Sequence, residues 1–211
     1  MHVDPRTLSA DESYKLLTGV VVPRPVAWVT SLSAAGGVNL APFSTFTFVS
    51  PKPPMLAFSV GQRGGIYKDT ARNILAVEEY VVHIADGALI EAVHNSAIEY
   101  PPEVSETEML GLATVPSLHV KPPRVAAAPI AMECRLRQCL EFGDTRSRLI
   151  VGEVLAFHFR DGLLRNGKID TATLDPLCRL AGPNYATLGE IVTMQPIQQT
   201  AKTTIKTTIE G

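Results

Sequence analysis

The chain has 211 residues, 45% of them hydrophobic and 19% charged, which excludes an intrinsically disordered or collagen-like polypeptide and supplies a core without disulfides. Nineteen Lys and Arg against 21 Asp and Glu give a formal charge of −2, without the basic excess of a phosphate-backbone binder, so nucleic acid is not an expected partner. No apolar run reaches the ~20 residues of a membrane span and the opening MHVDPRTLSADES carries no secretory apolar segment, so no membrane is expected and the protein reads as cytoplasmic.

Ser9-Ala-Asp-Glu12 is a capping-box pattern that starts a short helix through Tyr14, Leu16 and Leu17, closed at Gly19. Residues 26–32 then read as a strand, Ala34-Ala-Gly36-Gly37 as a turn, and Phe46 to Val49 and Met55 to Val60 as further strands. After Gly64-Gly65, Asp69-Thr70 begins a helix with Asp69 as its N-cap, running to about Val77. Tyr80 to Ala85 returns to strand, and residues 87–97 read as helix. Six prolines make 100–130 an excursion with one short helix after Ser105. Ile130 to Glu141 and Leu149 to Phe159 form a long antiparallel pair. This order predicts an α+β fold, mainly antiparallel β, built on a closed or half-closed barrel with peripheral helices. It also predicts one domain over 1–195 and a low-complexity tail at 196–211, whose composition points to disorder although its Thr and Ile content permits a strand.

A nucleophile or metal constellation is absent from the sequence pattern. Glu91 and His94 share a helix face as a surface pair, His83 and His158 fall inside strands, and Cys134, Cys139 and Cys178 fit no redox or zinc spacing and suit a reducing compartment. The informative region is 39–73. There Ser44, Thr45 and Thr47 can bond the edge of a flat heteroaromatic ring, with Pro42, Phe43, Phe46 or Phe48 as an apolar wall. The helix start at Lys68, Thr70 and Arg72 suits a phosphate. Taken singly, these stretches also read as a strand pair and an ordinary capped helix.

Together they resemble the flavin reductase-like family of FMN-binding split barrels. The resemblance rests on Arg24-Pro25-Val-Ala-Trp28-Val-Thr30-Ser, Asn39-Leu-Ala-Pro42-Phe-Ser44-x-Phe46, Ser50-x-x-Pro53-Pro54, Lys68-Asp69-Thr70-x-Arg72-Asn73, Pro122-Pro123-Arg124-Val, Glu133-Cys-Arg-Leu, Ile150-Val-Gly152-Glu153-Val and Arg179-Leu-Ala-Gly182-x-x-Tyr185. It implies a homodimer with FMN near the subunit interface. By that resemblance Ser44, Thr45, Phe46 and Thr47 line the isoalloxazine, Lys68, Thr70 and Asn73 hold the phosphate and ribityl end, and Ser59 and Gly61 lie beside it. Arg179, Gly182 and Tyr185 reach the flavin from within or across the dimer, and Pro183 lacks the backbone donor a contact at that position would need. The implied reaction is hydride transfer from NADH or NADPH to flavin, with the flavin doing the chemistry and electrons passing to free flavin, a partner protein or oxygen. Replacing His83, His94 or His158 is then expected to cost less activity than replacing Lys68 or Thr70. Two other readings compete: a flavoredoxin-like electron carrier without a nicotinamide site, and a binding barrel that has lost its cofactor.

Overall fold

A computed structural model of the chain describes residues 1–197; the expectation for the tail falls, from residue 198 on, outside them. Helix α1 (Ala10–Val20) starts from the expected capping box, with Ser9 accepting from the Glu12 amide and Glu12 accepting from the Ser9 amide. It runs one residue past Gly19. Strands β1 (Arg24–Pro25), β2 (Ala27–Leu32), β3 (Val38–Phe43), β4 (Phe46–Pro51) and β5 (Pro54–Val60) follow. β3 was not among the strands expected from the sequence, yet Val38–Phe43 pairs along its length with β2. A small hairpin, β6 (Gln62–Arg63) and β7 (Ile66–Tyr67), leads into α2 (Asp69–Val77). The N-cap of α2 is Lys68 and not Asp69, whose carboxylate instead pairs with Arg72 one turn on.

β8 (Glu79–Ile84) returns to the sheet, and the excursion then carries α3 (Ile90–Asn95, preceded by a 3-10 turn), α4 (Glu106–Met109) and the paired β9 (Thr114–Val115) and β10 (Arg124–Val125). The long hairpin is β11 (Ile130–Phe142) and β12 (Ser147–Phe159). A short pair, β13 (Leu164–Arg165) and β14 (Lys168–Ile169), α5 (Thr171–Leu174), β15 (Cys178–Arg179) and β16 (Tyr185–Ala186) complete the described chain.

Seven strands form one antiparallel sheet in the order β3-β2-β8-β11-β12-β5-β4. Its two edges, β3 and β4, are joined by Ser44 and Thr45 alone. Three virtual Cα–Cα bonds of about 3.8 Å cannot span a flat sheet of this width, so the sheet curls until its edges meet. The strand period of two then sorts side chains inside from outside. Ala27, Val29, Tyr80, Val82, Ile130, Met132 and Cys134 face the interior with Phe58 and Ile150, while Trp28, Leu40, Val81 and Ala131 face out and are buried under the excursion and the C-terminal segment.

Polar side chains on that outer face tie the excursion down. The Trp28 indole donates to Ser96 Oγ (2.9 Å) and Thr30 Oγ1 to the Pro123 carbonyl (2.7 Å). Glu133, fully buried, accepts from the Leu118 and His119 amides (2.7 and 2.6 Å), and Glu106 accepts from the Leu40 amide (2.8 Å). Backbone amides that would otherwise be orphaned under the cover are satisfied this way.

Inside the barrel, Gly152 lies opposite both Leu136 and Leu56, and the Tyr80 ring passes over it. A Cβ at 152 would come within 2.7 Å of Tyr80 Cζ and 3.0 Å of the Arg135 carbonyl. Gly152→Ala should therefore lower the unfolding free energy by about 1–3 kcal/mol. Tyr80→Phe, which removes a buried hydroxyl with no partner among the described residues, should leave it unchanged or raise it; urea unfolding of the two variants checks both.

Candidate functional site

The seam where the sheet edges meet, the start of α2 and the segment 179–185 surround one groove. It consists of two cavities of about 370 and 300 Å3, which share Pro42, Lys68 and Ala97 as walls. Each reaches the ~300 Å3 at which small-ligand pockets begin.

The larger cavity is lined by Tyr14 and Thr18 of α1, Arg24, Ser44, Lys68, Arg179, Gly182 and Tyr185. Arg24 is 7% exposed and anchors its floor. Its Nη1 donates to the Thr18 and Val21 carbonyls (2.6 and 2.8 Å), Nη2 to the Leu180 carbonyl (3.0 Å) and Nε to Ser44 Oγ (3.2 Å). Arg179 donates to the Tyr185 hydroxyl and to the Gly182 carbonyl (2.6 Å), with its guanidinium 4.5 Å from the centre of the tyrosine ring. Gly182 adopts φ +61°, a left-handed conformation that places this carbonyl with no Cβ penalty. The turn is closed by the Asn184 side chain and amide on the Ala181 carbonyl, so no donor is required from Pro183. Three cations line this cavity and, among the described residues, no carboxylate does.

The smaller cavity is formed by Asn39, Lys68, Thr70 and Tyr67 on one side and by Ile98, Tyr100 and Glu106 of the excursion on the other. Among the described residues no side chain caps the first turn of α2, which leaves the amides ahead of Ala71 available to an anion. The Asp69 charge is taken up by Arg72, which also donates to the Tyr67 carbonyl (2.8 Å). Beneath the helix start, Asn39 Nδ2 donates to Thr70 Oγ1 (2.9 Å) and Asn73 Nδ2 to Ser31 Oγ (3.3 Å). Burial pushes the Glu106 carboxyl up against the opposing pull of the Leu40 amide.

Of the site residues expected from the sequence, the structure brings Ser44, Lys68, Thr70, Arg179, Gly182 and Tyr185 to the groove. Asn73 is buried behind Thr70 and lines neither cavity. Thr45 is exposed just past the seam, its carbonyl accepting from the Ser59 amide (2.9 Å). Phe46 packs part-buried on the barrel core, Thr47 is exposed on the edge strand, and Ser59 and Gly61 stand at the end of β5. The expected aromatic wall also changes identity. Phe43 points inward onto Phe58 (centroids 5.1 Å), Phe48 is 74% exposed, and Pro42 walls the groove instead.

Arg24, Asn39, Tyr100 and Glu106 were not among the expected site residues. For Arg24 the signal was available: an arginine opening an apolar strand needs either solvent or a set of acceptors.

Two of the histidines, His83 and His158, are tied into the fold. His83 Nδ1 donates to the Trp28 carbonyl (2.8 Å) and Nε2 accepts from the Val125 amide (2.9 Å), which assigns the neutral Nδ1–H tautomer. His158 bonds Glu133 (2.7 Å). Burial works against the Glu133 carboxylate, but the two loop amides and His158 outweigh it and hold the group below its ordinary range. His94 Nδ1 lies 3.4 Å from the Tyr185 hydroxyl at the rim of the groove. Burial pushes the Cys134 thiol far up, so it is unreactive.

Residues 19–177 match the family described as flavin reductase like domain. The chain belongs to that family. An uncharacterized protein of Halalkalibacterium halodurans is 42% identical over 195 residues, 90% of this chain and 93% of its own. Among solved structures, nitrilotriacetate monooxygenase component B from Bacillus cereus is 38% identical with a TM-score of 0.89, covering 92% of this chain and 98% of that one. A flavin reductase with a split barrel domain from Shewanella frigidimarina, 18% identical, superposes with a TM-score of 0.82 over 94% of this chain and all of its own. The fold of this flavin reductase-like chain is thus the α+β split barrel. No helix among its described residues is long and apolar enough to cross a membrane.

The His83 tautomer has a pH consequence. Burial pushes its imidazole down from 6.5 to about 4. Between those values the unfolded chain takes up a proton that the folded chain refuses, so unfolding free energy falls as pH drops through that window, by on the order of 3 kcal/mol at pH 4. Chemical denaturation at pH 7 and at pH 4.5 should show this loss in the native chain and a smaller one in His83→Gln.

Proposed function

We propose that the groove binds FMN and that the protein is an NAD(P)H-dependent flavin reductase acting as a homodimer. The observation that carries the reading is a groove whose larger cavity sets three cations, with no carboxylate among the described residues, beside the start of α2, which lines the smaller cavity with Asp69 and Glu106 and shares Lys68 with the larger one. That donor set fits an anionic cofactor with a flat, polar-edged ring. Membership in the flavin reductase-like family, and 38% identity to a protein named as a monooxygenase component, support the same chemistry.

In this reading Lys68 and Thr70 hold the phosphate, Lys68 by charge and Thr70 by its hydroxyl, which Asn39 fixes from behind. Asn73 acts through Ser31 to hold the start of α2, and Arg72 keeps Asp69 from repelling the anion. Ser44 meets the ring edge, Pro42 its face, and Arg179 with Gly182 and Tyr185 closes the side opposite α2. When bound, FMN supplies the ring that accepts hydride from NADH or NADPH. The protein contributes binding, orientation and exclusion of water and needs no side-chain base.

Dimerisation is supported by apolar surface that one chain leaves open. Tyr14, Leu17 and Val20 on α1 are 67, 61 and 74% exposed, and Phe48 and Val49 on β4 are 74 and 50% exposed. A second chain over this surface would cover the edge strand and bring Thr45, Phe46, Thr47, Ser59 and Gly61 into a composite site.

The purified protein should carry, or take up and retain, FMN with its visible absorption bands, and should oxidise NADH or NADPH with added flavin. Lys68→Ala and Thr70→Val should each weaken FMN binding by about 10- to 100-fold, the worth of a hydrogen bond to a charged group. Retained FMN without nicotinamide oxidation would establish the electron-carrier reading. A colourless protein that FMN does not bind would overturn the flavoprotein reading altogether.

A further inference from the structure

The larger cavity holds more positive charge than one bound phosphate uses, and its three cations are not equivalent. Arg24, 7% exposed, spends its hydrogens on Ser44 and on the Thr18, Val21 and Leu180 carbonyls, so it serves the fold. Lys68 stands at the start of α2 and lines both cavities, the place that the flavin reading gives to the FMN phosphate. Of the two cavities Arg179 lines only the larger, and it takes part in none of the ion pairs among the described residues. Its charge is left over.

Arg179 is also held in place before any ligand arrives. Donation to the Tyr185 hydroxyl and the Gly182 carbonyl uses two of the five N–H hydrogens of a guanidinium, and the others have no acceptor among the described residues. The guanidinium carbon lies 4.5 Å from the centre of the Tyr185 ring, which His94 in turn meets edge-on at 5.8 Å between centroids. The Asn184 side chain closes the turn on the Ala181 carbonyl (2.9 Å). A cation fixed in this way loses little further freedom on binding, and its planar fork matches the oxygens of a phosphate group.

We infer that the Arg179–Tyr185 turn is a second anion subsite of the groove, and that it takes the diphosphate of the nicotinamide dinucleotide while the start of α2 takes the phosphate of the flavin. This rests on the flavin reductase reading above. That reaction brings two anionic molecules into one groove, and phosphates crowded onto Lys68 alone would repel each other. A separate cation for each removes the conflict. NADH and NADPH both carry the diphosphate, so the subsite serves either.

The test uses ADP-ribose, which keeps the diphosphate of the dinucleotide but has no nicotinamide and cannot transfer hydride, titrated by calorimetry into FMN-saturated protein. The native protein should bind it, with an affinity that falls as NaCl is raised. Arg179→Gln should weaken that binding by about 10- to 100-fold, the worth of hydrogen bonds to a charged group, and flatten its salt dependence. FMN affinity should stay unchanged, which also shows that the variant folds. Arg179→Lys, which keeps the charge and loses the fork, should recover part of the loss. In turnover, Arg179→Gln should raise the KM for NADH with kcat little altered.

An FMN-loaded native protein that does not bind ADP-ribose, or an Arg179→Gln variant that binds it as tightly as the native chain, would overturn the inference and leave the flavin reading standing. A loss of FMN affinity in Arg179→Gln with ADP-ribose binding unaltered would return the arginine to the flavin and overturn it equally. If Arg179→Gln does not fold, Arg179→Lys decides in its place, with ADP-ribose about tenfold weaker at unchanged FMN affinity as the expected result. Failure of the native chain to bind FMN is a different result, because it removes the reading on which the inference stands.

Discussion

Two residues, Ser44 and Thr45, separate the strands at opposite edges of a seven-stranded sheet, and so short a tether forces the sheet to curl until those edges meet. The candidate site is arranged around that seam. The curl makes an interior that Tyr80, Phe58 and Ile150 fill. It also leaves the corner itself without a neighbouring strand, a place where backbone and hydroxyl groups stay open to a ligand. Arg24 converts this corner from a loose joint into a fixed one. By donating to the end of α1, to Ser44 and to Leu180, it joins parts of the chain up to 156 residues apart in sequence at one charged group.

The outer face of the barrel obeys a second constraint. Strands β2 and β8 and the first five residues of β11 are buried on both sides, so the residues pointing outward there must be covered, and the Pro-rich excursion is the cover. A polypeptide lying on a sheet without joining it brings unpaired amides. His83 and Glu133 satisfy those of Val125, Leu118 and His119, and Glu106 of the excursion in turn accepts from the Leu40 amide of β3. Their unusual environment is thus a matter of closing the fold. One result does reach the groove: because Ser96 is held by Trp28 and Glu106 by Leu40, residues 97–102 are set down as the far wall of the smaller cavity.

Charge sets the character of the larger cavity. Asp69, the acidic residue nearest the start of α2, is neutralised by Arg72, and Lys68 is left without a carboxylate partner among the described residues. The net charge of the whole chain, −2, predicts nothing of this local excess.

Much of this was legible beforehand. The capping box at Ser9, the β-rich stretches 26–32 and 80–85, and the long antiparallel pair identify their elements because local composition, periodicity and capping act over a few residues and do not depend on distant ones. The same holds for the order of motifs that marks the family, and for Ser44, Lys68 and Thr70 as candidates. What local pattern misjudged was settled by long-range packing. Val38–Phe43 became a strand because pairing with β2 outweighs the single donor that Pro42 lacks. Phe43 turned inward and Asn73 went beneath the helix start because the curl decides which side of each element faces the groove. Arg24 gained its role only when the chain ends of three segments met around it. Sequence determined which chemical groups were available and roughly which local elements carry them. Tertiary structure alone decided which of those groups share a cavity, since that depends on the direction a side chain points after the sheet has closed, and no local pattern encodes the closure.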